Sequence, residues 1–429
     1  MNLSDRKVLI IDHGLFLSLA SRLAREFGEV FYAPIWSQGF PTYHVSDVGK
    51  ELPGITHTDD AWRIIDAHAD KKDELLIAFP DILDSGWQLH LRSLGYRVWG
   101  SGWGDELEIY RVFFKETLEK VGLPVNPYEV VHGAAALREY LREHDDVFVK
   151  FTQKLRGIME TFESKQYWLI EPRLDQLIHL LGMKKREVAF TVEKKIKTKI
   201  EVGGDMYCID GQYPKTVSNG IEIKDQCSAS VVQAFKDLPD EVRKVCDKMA
   251  PVLKGYGYRN FFSTEIRVGE DGKPYFIDPT CRHPSPVGES EQELWSNLGE
   301  IMWRGAEGVM VDPLPAAKYA VQAMIYSDRA DEEWQPIDFP EKIRDRVKLY
   351  YHRRLEGHDY IMPQTTKLNE CGSVVGLGDT LKEAKDDCAN LAKQVIGDKV
   401  CIHLESIEEA EGEFAEMAKK GMNIEPSEG

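Results

Sequence analysis

Residues 261–279 read FFSTEIRVGEDGKPYFIDP, and the reading of this stretch organises the rest of the chain. An apolar, β-rich run (FFSTEIRV) meets a turn cluster (GEDGKP) and returns as a second run (YFIDP), which predicts a hairpin. Glu265 alternates in phase with Ser263 and Arg267, and Asp278 falls at the end of the returning strand. Side chains repeat every second residue along a strand, so the two carboxylates can share one face. Such a pair suits Mg²⁺, which takes a few carboxylates together with phosphate oxygens of a nucleotide. A carboxylate set between Ile277 and Pro279 needs a partner to be tolerated there.

Upstream, Val147 to Val149 form an apolar strand closed by Lys150, and a loop with Lys154, Arg156 and Gly157 follows. A cation at a strand end with a basic loop beyond it can neutralise phosphates. Glu193 follows the strand residues Phe190 and Val192, and Glu201 comes after a basic stretch. Either carboxylate could accept ribose hydroxyls. Thr280 and Arg282 add a hydroxyl and a fixed cation just past the hairpin. The first hundred residues alternate strands (7–11, 29–33, 75–79, 96–99) with a helix carrying Leu15, Leu19, Leu23 and Phe27 at helical spacing. That pattern predicts an open parallel sheet, whose ligands sit beyond the carboxyl ends of its strands. Those ends carry His13-Gly14, Trp36-Ser37-Gln38-Gly39 and Pro80-Asp81. Helices are expected over 105–121, 133–143, 291–310 and 380–395, and strands over 319–326, 347–352 and 373–377. The acidic end, 404–429, reads as a helix followed by a frayed tail.

The chain has 429 residues, which implies two to four domains. Its net charge of −18 disfavours non-specific nucleic-acid or anionic-membrane binding. No apolar run approaches the roughly 20 residues that span a bilayer, and the N-terminus reads as a strand rather than a signal peptide. The seven cysteines contain no CxxC and no paired histidine spacing, which points to a reducing cytoplasm.

In this order the parts resemble the ATP-grasp superfamily of ligases, with a layout similar to the glycinamide ribonucleotide synthetases (phosphoribosylamine–glycine ligases) over residues 5–405. The resemblance implies an α/β and α+β multidomain fold: an N-terminal open parallel sheet, a central two-lobed ATP-grasp fold gripping the nucleotide, and a small C-terminal α+β module. It divides the chain into 1–104, 105–186 (small lobe), 187–315 (large lobe with the metal site), 316–405 and an acidic tail, 406–429. It places Arg111 of YRVFFKETLEKVGLP at a nucleotide-binding lysine position, with Lys115 one turn later. Lys150, Gly157, Glu193 and Glu201 then bind the nucleotide. Glu265, Asp278 and Thr280 hold Mg²⁺, with Mn²⁺ as an alternative cation. Arg282 and Lys224 stabilise the transferring phosphoryl group. The implied reaction joins a small-molecule carboxylate to an amine with ATP through an acyl phosphate. Departures are Arg111 for lysine, Asp278 for glutamate, Thr280 for asparagine, a single-glycine phosphate loop and a first strand ending in IDHGLFLSLA without a Gly-Arg-Glu-His pattern. They point to a different substrate pair, or to an ATP-binding protein that regulates or scaffolds without turnover.

Overall fold

The computed structural model describes residues 1–34, 45–82, 84–154, 161–223, 226–285, 287–330, 332–363 and 369–427. Trp36-Ser37-Gln38-Gly39, Arg156, Gly157 and Lys224 lie outside them. Two compact units emerge. The first comprises Met1–Gly104, Gly203–Thr264 and Thr280–Gly429; the second, Asp105–Val202 and Glu265–Pro279. Two strands, Thr198–Ile209 and Arg259–Gly269, carry residues of both units.

The first unit opens with the expected parallel sheet, in which Leu3–Asp12 lies between Phe27–Pro34 and Leu75–Ala78, with Ile55–His57 and Arg97–Trp99 at the edges. Its central strands are buried on both faces: Val8, Leu9, Ile10 and Ile11 are all at most 2% exposed. That explains why KVLII is a continuous apolar run rather than an alternating one. Phe27, expected on the first helix, instead starts the second strand, because the helix Leu17–Leu23 ends sooner.

An antiparallel sheet of the same unit runs Thr216–Ile223, Cys227–Ala234, Tyr319–Ser327, Glu370–Gly378 and Val347–Leu349. Against it packs the helix Leu381–Ala392, begun by Thr380, whose side chain and that of Glu383 form a reciprocal capping box. The expected helix 291–310 is two helices, Val287–Leu294 and Leu298–Ala306. Between them Ser296 N donates to the Leu314 carbonyl (2.9 Å), and the Asn297 side chain accepts from Leu314 N (2.8 Å). The chain end is helical as expected, but the residues beyond the helix depart from expectation. Leu404–Lys419 is helical, Ile407, Ala410 and Phe414 are buried in the core, and residues beyond are tied down where Gln233 Nε2 donates to the carbonyls of Asn423 (3.0 Å) and Glu425 (2.8 Å). The tail is packed rather than frayed.

In the second unit a four-stranded antiparallel sheet runs Tyr128–His132, Ala189–Lys194, Val147–Phe151, Thr161–Ser164. The helices Ala134–Glu143 and Tyr167–Leu181 cover it through Leu137, Leu141, Leu174 and Leu177. The expected helix 105–121 breaks at Tyr110, which is extended, giving Asp105–Ile109 and Arg111–Lys120. The break lets Arg111 N donate to the Thr152 carbonyl (2.9 Å). Among the described residues no helix is long and apolar enough to cross a membrane.

Phe414 is 3% exposed, so Phe414→Ala is expected to cost about 3–5 kcal/mol. A urea-unfolding midpoint equal to that of the unchanged protein would show the terminal helix to be dispensable to the core.

Candidate active site

Glu265, Asp278 and the charged residues that act on Glu265 belong to the second unit. The hairpin closes where Gly269 N donates to the Lys273 carbonyl (3.0 Å), and Gly272 adopts the positive φ (+74°) that the turn requires. Phe276 on the returning strand meets the ring of Phe114 edge-on, with centroids 5.1 Å apart. This contact seats the hairpin against the helix Arg111–Lys120.

The sheet's register decides which side chains face the same way. Lys150 stands opposite Thr191, and Phe148 opposite Glu193. Cross-strand partners share a face, so Lys150 and Glu193 emerge together while Val149, Phe151, Phe190 and Val192 fill the core on the other side. Lys115 Nζ pairs with Glu193 Oε1 at 3.1 Å, with both side chains at most 10% exposed. The same ammonium lies 5.0 Å from the centre of the Tyr128 ring. Burial depresses the Lys115 pKa; Glu193 and Asp278 oppose the shift, and the nearby Lys150 adds to it.

Glu265 is half-buried, and its pKa is pushed up to about 7, first by burial and then by the negative charges of Asp278 and Glu201. Arg267 and Lys150 work the other way. Asp278 and Lys150 therefore each lie within electrostatic reach of both Glu265 and Lys115. Arg267 forms ion pairs with Glu265 (3.3 Å) and Glu201 (3.1 Å). Among the described residues no group of three or more His, Cys, Asp and Glu is disposed to hold a metal. A two-carboxylate site is compatible with that, since Mg²⁺ keeps most of its shell for waters and phosphate oxygens.

Other expected site residues are placed differently. The buried Arg111 donates from Nη1 to the Phe151 carbonyl (3.0 Å), next to Lys150 in the chain. Lys154 is paired with Glu108 (2.5 Å). Thr280 and Arg282 belong to the first unit, where Arg282 Nε lies 3.9 Å from Asp81. Lys115 and Arg267 carry more of the local electrostatics than the sequence reading assigned them. Their signals were present: Lys115 is four residues after Arg111 on one helix, and Arg267 is in phase with Glu265.

No family model matches the sequence, and no curated sequence does. Solved structures do. Phosphoribosylamine–glycine ligase from Thermotoga maritima superposes with a TM-score of 0.70 over 93% of this chain and 99% of its own, at 17% identity. The chain has an ATP-grasp fold. The biotin carboxylase domain of Hydrogenobacter thermophilus 2-oxoglutarate carboxylase, solved with MgADP and bicarbonate, gives 0.65 at 13% identity, covering 94% of this chain and 92% of that one. An L-amino acid ligase from Bacillus licheniformis gives 0.57 at 13% identity, over 92% and 99%. These proteins share the ATP-grasp fold and little sequence, so the likeness extends to architecture alone.

Two outcomes follow from this geometry. Lys115→Met strands a buried Glu193 carboxylate and is expected to cost roughly 3–5 kcal/mol in urea unfolding; a cost within experimental error would mean the pair is dispensable. The raised Glu265 pKa means the folded state binds the extra proton, so without divalent cations this group's contribution to stability falls as pH rises from about 4.5 through about 7. Glu265→Gln should flatten that part of the stability–pH curve, and an unchanged curve would remove Glu265 as its source.

Proposed function

We propose that this chain is an ADP-forming carbon–nitrogen ligase that joins a small-molecule carboxylate to an amine. The observation that carries this reading is the Glu265–Asp278 pair, held in mutual repulsion with Lys150 and Lys115 close by. A pair of neighbouring carboxylates, one of them under-compensated, calls for a divalent cation, and adjacent ammonium groups suit a polyphosphate. The donor set fits Mg-ATP.

Bound Mg-ATP supplies the phosphoryl group that turns the carboxylate into an acyl phosphate, which the amine opens to an amide and phosphate. The chain's own residues do electrostatic and positioning work, as phosphoryl transfer demands. Glu265 and Asp278 hold the metal. Lys150 and Lys115 offset phosphate charge, and Glu193 fixes the Lys115 ammonium in place through its 3.1 Å ion pair. Arg111 acts indirectly here: its bond to the Phe151 carbonyl orients the strand end that presents Lys150. Arg267 restrains both Glu201 and Glu265. The substrate pair differs from phosphoribosylamine and glycine, because the first strand runs into IDHGLFLSLA without the Gly-Arg-Glu-His pattern.

The test is ADP release with a panel of carboxylates and amines, phosphoribosylamine and glycine included. Asp278→Asn is expected to lower turnover by at least a hundredfold while circular dichroism stays unchanged; wild-type turnover in that variant would eliminate Asp278 as a metal ligand. If Mg-ATP binds by calorimetry and no pair releases ADP, the chain is a nucleotide-binding protein without turnover.

A further inference from the structure

The helix Val287–Leu294 of the first unit carries two buried glutamates, Glu289 and Glu291, and a partly buried one, Glu293, and their surroundings differ. Glu293 is met by Lys348 (2.6 Å) and by Arg25, which hold its pKa down to about 2 against the effect of burial. Glu289 accepts from the Tyr350 hydroxyl (2.7 Å) and from Gln322 Nε2 (2.9 Å), with Lys348 also acting on it. Glu291, only 1% exposed, meets no cation among the described residues; the neutral Ser218 and Trp295 side chains are the groups that favour its charged form. Its Oε1 accepts from the Ser218 hydroxyl at 3.2 Å, and its Oε2 has no hydrogen-bond partner.

The charge acting on Glu291 is another carboxylate, Asp205. Asp205 is half-buried and stands directly opposite Ser218 across the paired strands Thr198–Ile209 and Thr216–Ile223. Ser263, also buried, lies beside it. Burial pushes Asp205 up to about 6 and Glu291 well above the usual carboxylate range. No cationic side chain of the described residues is among the groups acting on either one. A buried carboxylate beside a second, half-buried one, with no cation acting on either, persists only by keeping a proton or by taking in a cation.

We propose that Asp205 and Glu291 form a recess for a primary ammonium group, with the Ser218 and Ser263 hydroxyls completing its lining. An ammonium brings three donors and no acceptor, which matches the free Glu291 oxygen, the Asp205 carboxylate and a hydroxyl oxygen. A divalent metal matches less well, because Mg²⁺ gives up its waters reluctantly and the buried Glu291 leaves little room for them. Identifying the occupant with the amine substrate rests on the ligase reading above, since alkylamines are protonated at neutral pH. The recess itself rests only on these residues.

The experiment uses the full chain and ethylammonium as the probe, followed by ligand-observed NMR, with 1-propanol as the neutral isostere. Saturable binding of ethylammonium and none of 1-propanol is expected. Glu291→Gln and Asp205→Asn should each weaken it at least tenfold, with Mg-ADP affinity unchanged within twofold. Asp205 is half-buried, so its variant keeps the test open if Glu291→Gln fails to fold. Absence of saturable binding to the unchanged protein, equal binding to both variants, or equal binding of 1-propanol would overturn the proposal. Loss of a Mg²⁺ site in the variants in place of the ammonium effect would overturn it in favour of a metal. Failure of Mg-ADP to bind while ethylammonium still does would sink the ligase reading and leave the recess standing.

Discussion

Glu265 and Asp278 repel one another, and the backbone hydrogen bonds of their hairpin hold them in place against that repulsion. The surrounding charges respond to this constraint. Arg267 leans on Glu265 from the same strand, and Lys150 acts on it from the neighbouring sheet of the same unit. Lys115, itself buried, is kept company by Glu193. The arrangement has fixed cations to offset part of the charge and leaves Glu265 short of full compensation. A protein built purely for stability would gain from replacing one of the acids with an apolar side chain. Retaining both makes sense where a mobile cation is to be bound and released.

The covering contacts of the hairpin serve the same constraint. Phe276 against Phe114 ties the acidic arm to the helix that also carries Arg111 and Lys115. Arg111 then grips the end of the strand bearing Lys150 through the Phe151 carbonyl. One short helix therefore sets the spacing of two lysines and one carboxylate-bearing strand. Its starting point is set by the break at Tyr110, which frees Arg111 N for the Thr152 carbonyl instead of an intrahelical bond.

The elements legible in the sequence were those whose apolar period and punctuation agree: the first strand, the hairpin, and the helix after Thr380. The break at Tyr110 was hidden because its cause is a partner forty residues away. The strands Thr216–Ile223 and Cys227–Ala234 were hidden for a different reason. They are rich in small polar residues, and Ser218, Ser228 and Ser230 are all buried, so no apolar alternation marks them. Helices Tyr167–Leu181 and Asp240–Gly255 each contain a proline that reads as a stop. At the chain end the helix was legible, but the bonds that hold the residues beyond it, from Gln233 to the Asn423 and Glu425 carbonyls, leave no mark in an acidic composition. At the site, the carboxylate pair and Lys150 follow from strand periodicity. The pairing of Lys115 with Glu193 does not, because it joins a helix to a strand across the fold of the unit.

The second unit is made from two separated pieces of chain, 105–202 and 265–279, with residues 203–264 committed elsewhere. During synthesis the chain for its sheet and helices is made early, but the arm carrying both acids is complete only once residue 279 has been added, and it leaves the ribosome later still. Until then the lysine-bearing part of the unit exists without its acidic counterpart, and Phe114 has no ring to meet. Assembly of the charged cluster is therefore a late, long-range event in the life of each new molecule, placed after a whole intervening segment has been made.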